Sequence, residues 1–221
     1  MSDGASTTLL LAALLALLPL LLLTATSFAK LSIVLSLLRN ALGTPEVPSG
    51  AIVTALALVL SAYVMAPVAR EASALAAPAY ARFDPQAPLS PPSRTALLEI
   101  ANLALPPLRA FLQRNTAAGE KTLFIDLARK AGAREQTAPS GDELPILLPA
   151  FLLTELSEAF QVGVLILLPF VVIDLVVAAI LAALGLTTLT PGAVALPLKL
   201  LLFVLVDGLS TLSRALVSGY R

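Results

Sequence analysis

Lys30, Asp174, Lys199 and Asp207 lie in stretches with almost nothing polar around them. The plainest case is Asp174, in the middle of "LLPFVVIDLVVAAILAALG", residues 167–185. A carboxylate at the centre of a membrane-crossing helix costs about 2.5–3.5 kcal/mol on insertion scales, so it calls for a reason. Two aspartates on separate apolar segments, Asp174 and Asp207, could share a proton and activate water, as an intramembrane aspartyl protease requires. Their contexts, "FVVIDL" and "VLVDG", lack the Tyr-Asp and Gly-x-Gly-Asp patterns of such enzymes. Alternatively the charges line a polar interior or bind neighbouring subunits, with small-residue runs such as "VVAAILAALG" allowing close helix packing. The simplest reading has each charge paired with another or placed at a wet helix end, where Lys30 and Asp207 can snorkel. Glu155 and Glu158, in "PAFLLTELSEAFQVG", add two carboxylates just ahead of the Asp174 segment.

Composition narrows the chemistry further. Of 221 residues, 58% are hydrophobic and 13% charged, against about 25% charged in a typical soluble domain. That pattern describes a membrane or membrane-assembled protein. The formal net charge is zero, which offers no bulk attraction to nucleic acid. Cysteine and histidine are both absent, so disulfides, thiolate metal sites and imidazole catalysis are excluded. No Gly-Lys-Ser/Thr phosphate loop occurs either. The expectation is a non-enzymatic protein with no metal and no cofactor.

The elements that must position these charges fall into three parts. Residues 1–69 hold two apolar blocks, 9–38 and 51–68, joined by "RNALGTPEVPSG", whose Pro45, Pro48 and Gly50 mark a short connection and hence a helical hairpin. Residues 70–145 carry nine of the 14 basic and eight of the 14 acidic residues and read as a small hydrophilic module. Within it Leu97, Ile100, Ala101, Ala104, Leu108, Phe111 and Leu112 recur at helical spacing. Pro106 and Pro107 are expected to break or kink that helix. A second helix is expected over "KTLFIDLARKAG", with Gly132 as its stop. Residues 146–221 form a second apolar hairpin, with a block at 162–186 long enough to span a bilayer and a shorter one at 194–206. Pro19, Pro169 and Pro197 interrupt these apolar blocks. No alternating strand pattern and no repeat is present, so the predicted fold is all-α. The N-terminus has no basic residue before its apolar run at 9–23, which favours a retained segment over a cleaved signal. Lys30 and Arg39 place the first connection in the cytoplasm and the 70–145 module outside.

Three stretches carry a resemblance to a known family. They are "TSFAKLSIVLSLLRNALGTPEVPSG" (26–50) with "YVMAP" (63–67), residues 147–185, and "LPLKLLLFVLVDG" (196–208). The chain resembles the FliP/SctR family, a core subunit of the bacterial type III export gate in flagella and in virulence-associated injectisomes. The resemblance implies about five copies assembling with two smaller SctS-like and SctT-like membrane subunits into a helical, cone-like pore for unfolded substrate proteins. It implies larger export-gate and switch subunits as further partners, and a location at the inner membrane, partly above it. It also implies that Asp174 is the family's aspartate, finding its partner on assembly, so that Asp174→Leu assembles wrongly or leaks. The family's methionine gate follows the "Leu-Gly" that ends the third block. Here Leu186, Thr187, Thr188 and Leu189 stand there, either as a seal or as the start of a turn before Pro191. Leu209 replaces the tryptophan that follows "Asp-Gly" in the family. The chain's proportions favour an injectisome subunit, with the flagellar gate subunit as the alternative.

Overall fold

A computed structural model describes residues 16, 20, 23–43, 48–88, 90–131, 141–186 and 188–220. Among them all regular structure is α-helical, as the composition predicts. Seven helices have defined bounds: α1 (Phe28–Leu42), α2 (Gly50–Tyr80), α3 (Pro91–Asn115), α4 (Ala118–Ala131), α5 (Leu144–Ala183), α6 (Pro191–Leu205) and α7 (Gly208–Ser218). Expectations that fall on Pro19, Pro45, Gly132 and most of the 9–23 run lie outside the described residues.

Local chemistry accounts for the boundaries. On α1, Leu31, Val34, Leu35, Leu38 and Leu42 are buried at steps of three and four, one face of a helix. Gly43 ends it at φ 79°, a left-handed turn that glycine takes without a Cβ penalty. The apolar block expected at 51–68 is only the first part of α2. That helix continues to Tyr80 through Pro67 and Pro78, helped by the alanine-rich "REASALAAPAY", since alanine is the strongest helix former. Ser90 is extended and Pro91 follows at the first turn of α3, where its missing N–H is no loss.

Of the break or kink expected at Pro106 and Pro107, the break does not occur: α3 runs continuously to Asn115. Two adjacent prolines delete two consecutive N–H donors, and the helix carries on past the gap. Pro107, Phe111 and Leu112 are buried, so packing offsets part of a cost of about 3 kcal/mol for an interior proline. Helix α5 likewise passes Pro169 and α6 passes Pro197 without interruption. The segment 162–186 is the second half of a 40-residue helix. Helix α7 has no counterpart among the sequence expectations. It follows a 59° bend after α6, at Asp207, which adopts φ 48°, ψ 48°.

The chain sorts into two compact units, one including residues 65–154 and the other made of 28–64 and 155–220. In the first, Phe111 and Phe151 meet edge to face with centroids 5.7 Å apart, a favourable ring geometry. The Thr154 hydroxyl accepts from the Ala117 N–H at 3.1 Å and donates to the Ala150 carbonyl at 2.8 Å. Exposed ion pairs join Arg82 to Glu99 and Lys121 to Asp142. In the second unit, Leu31, Val34 and Leu35 of α1 share a core with Val53, Ala57, Ala159 and Leu216. Val177 and Leu181 of α5 pack with Ala195 of α6.

Three of the described helices, α2, α3 and α5, are long and apolar enough to cross a membrane, and the bent α6–α7 pair makes a fourth if counted as one span. The inclusion of α3 departs from the sequence reading, because it lies in the charge-rich 70–145 stretch. Its charges are spaced widely enough to leave an apolar window of spanning length. Large apolar side chains stay exposed along α5 and α6, among them Leu165, Leu175, Ile180, Leu201, Val204 and Leu205. An uncovered apolar surface of that kind marks contact with lipid or protein.

Candidate functional site: charges held among apolar helices

The anomalous charges resolve into two clusters, both within the second unit. In the first, Lys30 of α1 reaches α5, with its Nζ 2.5 Å from Glu158 Oε2 and 3.6 Å from Glu155 Oε1. Lys30 and Glu155 are buried, while the Glu158 side chain is 47% exposed. Glu155 also accepts a short hydrogen bond from the Tyr220 hydroxyl. The Tyr220 ring lies over the same ammonium, 4.4 Å from Nζ to centroid, within cation–π range. Burial first, and then the facing Glu155 carboxylate, raise the Tyr220 pKa above its ordinary value.

The second cluster is built on Lys199 of α6. Its Nζ is 2.7 Å from Asp174 Oδ2 on α5 and donates to the Ala41 carbonyl at 3.1 Å. Ala41 is in the last turn of α1, where carbonyls lack helical donors and the helix dipole favours a cation. One buried ammonium thus joins three helices. Asp174 thus has a partner within the chain, Lys199, 25 positions further on, in keeping with the simplest reading that each charge pairs with another. The partner is hidden in the sequence because Pro191–Leu205 returns past α5, and charge spacing along a chain does not report such a fold-back.

Asp207 joins neither cluster. It stands at the head of α7 in the left-handed region, while the Asp174 carboxylate is engaged by Lys199. Of the two aspartates a proteolytic pair would need, Asp174 is held by Lys199, while Asp207 makes no side-chain cap hydrogen bond at the head of α7.

Residues 186–189 follow a well-defined helix end. Gly185 takes φ 70°; its N–H donates to the Ala182 carbonyl, and the Leu186 N–H to Leu181, at 3.1 and 3.0 Å. That pair of bonds is a Schellman stop. Leu186 and Leu189 are 42% and 48% exposed, Thr188 is exposed, and Thr187 lies outside the described residues.

Sequence reasoning missed Tyr220 and the Ala41 carbonyl. Tyr220 had a faint signal, being spaced by four from Leu216 and by eight from Leu212, on one face of α7 extended. A backbone carbonyl leaves no signal in sequence.

The model of the FliP family matches residues 10–216. The hypersensitivity response secretion protein HrcR of Ralstonia nicotianae is 42% identical over 207 residues, 93% of each chain. The Yop proteins translocation protein R of Yersinia pestis is 41% identical, covering 94% of this chain and 92% of its own. The flagellar biosynthetic protein FliP of Pectobacterium carotovorum is 41% identical, covering 96% of this chain and 78% of its own.

Proposed function

The chain belongs to the FliP family, and from that premise we propose that it is a core pore-forming subunit of a type III secretion export gate. In this role it conducts unfolded substrate proteins across the bacterial inner membrane. The carrying observation is the family match over residues 10–216, supported by relatives named for secretion and translocation at about equal identity. Its partners are further copies of itself, about five in all, two smaller SctS-like and SctT-like subunits, larger export-gate and switch subunits, and lipid. Residues 1–69 and 146–221 form the two apolar hairpins of a cone-like assembly, and residues 70–145 a periplasmic module. Exposed Leu165, Leu175 and Ile180 on α5, with Leu201 and Leu205 on α6, support contact with neighbours or lipid. Gate residues are Leu186, Thr187, Thr188 and Leu189, which follow the Gly185 stop in sequence. Lys30, Glu155, Glu158, Asp174, Lys199 and Asp207 serve assembly rather than catalysis; the pairing of the first five within the chain supports the non-catalytic half of that reading.

Native mass spectrometry in mild detergent, with and without the two small partners co-expressed, tests the reading. A homo-oligomer that grows on partner addition supports it. A monomer indifferent to both partners overturns it. The flagellar alternative draws on the FliP relative. Complementation of secretion-null and flagellar-null strains separates the two, and rescue of secretion alone is expected.

A further inference from the structure

Three independent features single out the C-terminal helix. Asp207, between α6 and α7, holds φ 48°, ψ 48°, a conformation that L-residues other than glycine, asparagine and aspartate adopt only at a cost. From there α7 folds back with one deeply buried side chain, Leu216, 3% exposed and seated among Leu31, Val34 and Leu35 of α1 and Ala159 of α5. Beyond the helix, Tyr220 closes over Lys30 and donates to Glu155. Between hinge and end lies an apolar groove of about 380 Å³ that α7 walls with Leu212 and Ala215, opposite Leu38, Phe170 and Phe203.

We propose that α7 is a hinged strap, swinging about Asp207 and latched by Tyr220 onto the Lys30–Glu155 pair. Latched, it covers the apolar face of α1 and completes the pairing of two buried charges. Lifted, it opens the groove and exposes Lys30 and Glu155 to water. The latch is a bistable element of suitable kind. Among the described residues of α7 only Leu216 is fully buried; Leu212 and, beyond the helix, Tyr220 are half-buried, Leu212 packing beside the same core, so few contacts must break. The lost hydrogen bond and cation–π contact are replaced by water at both charges. Aspartate tolerates the left-handed hinge, so the bend can form, and the latch decides whether it is held. The strap stands on this geometry and not on the export-gate reading.

The absence of cysteine makes the test direct. In the full chain in detergent, Leu216→Cys reports the strap, and Val177→Cys reports a core between α5 and α6 that α7 does not cover. Maleimide labelling of the Leu216→Cys thiol is expected to be slow, and to speed up about tenfold with Tyr220→Ala, which removes ring and hydroxyl. Tyr220→Phe keeps the ring over Lys30 and is expected to give a smaller increase. Asp207→Ala, which makes the left-handed hinge harder to hold, is expected to raise the rate in the same direction. Labelling of the Val177→Cys thiol should stay unchanged throughout. Equal acceleration at both positions would mean general loosening and overturns the strap. So does a Leu216→Cys rate that ignores Tyr220→Ala, or one already equal to that of exposed Leu209→Cys.

Discussion

Lys199 illustrates how one side chain can matter more by what it joins than by its charge. It satisfies Asp174 and caps α1 through Ala41, so Lys199→Met leaves a carboxylate facing apolar surroundings and a carbonyl without its donor. Breaking a buried pair costs about 3–5 kcal/mol; Asp174 is 41% exposed, and screening reduces this to about 1–3 kcal/mol. Asp174→Leu is expected to destabilise similarly, and the double variant less than the sum of the two, read as detergent unfolding midpoints in a double-mutant cycle. Strict additivity would mean that the pair does not interact. A milder titration belongs to Asp142, whose carboxyl is held below its usual value chiefly by the hydrogen bond and charge of Lys121. Its contribution is fully present above the unfolded aspartate value and is lost as pH falls through the depressed folded value. The melting points of wild type and Asp142→Asn should therefore differ slightly at neutral pH and converge in strong acid, with added salt narrowing the gap. The charges themselves were legible as anomalies, because composition makes each conspicuous. Which charge meets which was not, since Lys30 and Glu158 are brought together across 128 positions.

Helix-to-helix approach is set by small residues at particular points. A Cβ on Gly163 of α5 would sit 2.2 Å from Leu37 Cδ1 and 3.4 Å from its Cγ on α1. The terminal methyl can rotate away from alanine but not from a branched side chain. Gly163→Ala is expected to cost less than about 1 kcal/mol, whereas Gly163→Leu forces the helices apart at about 1–3 kcal/mol. Thermal unfolding of the two variants checks the difference, and equal effects would show that the α1–α5 contact is loose there. Helix existence was readable from apolar blocks and spacing. Lengths were not: prolines at 106, 107, 169 and 197 signalled interruptions that the helices pass through. A proline rule describes an isolated helix, and at Pro107, buried with Phe111 and Leu112, packing offsets part of the cost. Helix α7 carries a helical pattern in Leu209, Leu212 and Leu216, but its start is a backbone conformation at Asp207 rather than a composition change, so nothing in the sequence separates it from the block before it.

Taken as one chain, the fold leaves a large apolar surface that its own residues do not cover, which fits a protein completed by neighbours and lipid. If Leu186 helps seal a gate in the assembled complex, Leu186→Ala should raise ion leakage through membranes carrying the whole complex, while leaving subunit copy number unchanged by native mass spectrometry. An unchanged leak would remove Leu186 from the seal. The long helix α5 has a consequence of another kind. Its 40 residues extend about 60 Å, twice a hydrocarbon core of about 30 Å. Carboxylates stand at 155, 158 and 174, and any stretch of about 20 residues taken from this helix, enough to cross, contains at least one of them. No level therefore exists at which α5 alone could enter a bilayer free of charge. The cations that pair with these carboxylates come from α1, made earlier, and from α6, made after it. For such a chain insertion and folding become a single event during synthesis, in which α5 waits for Lys199 to emerge before it can settle.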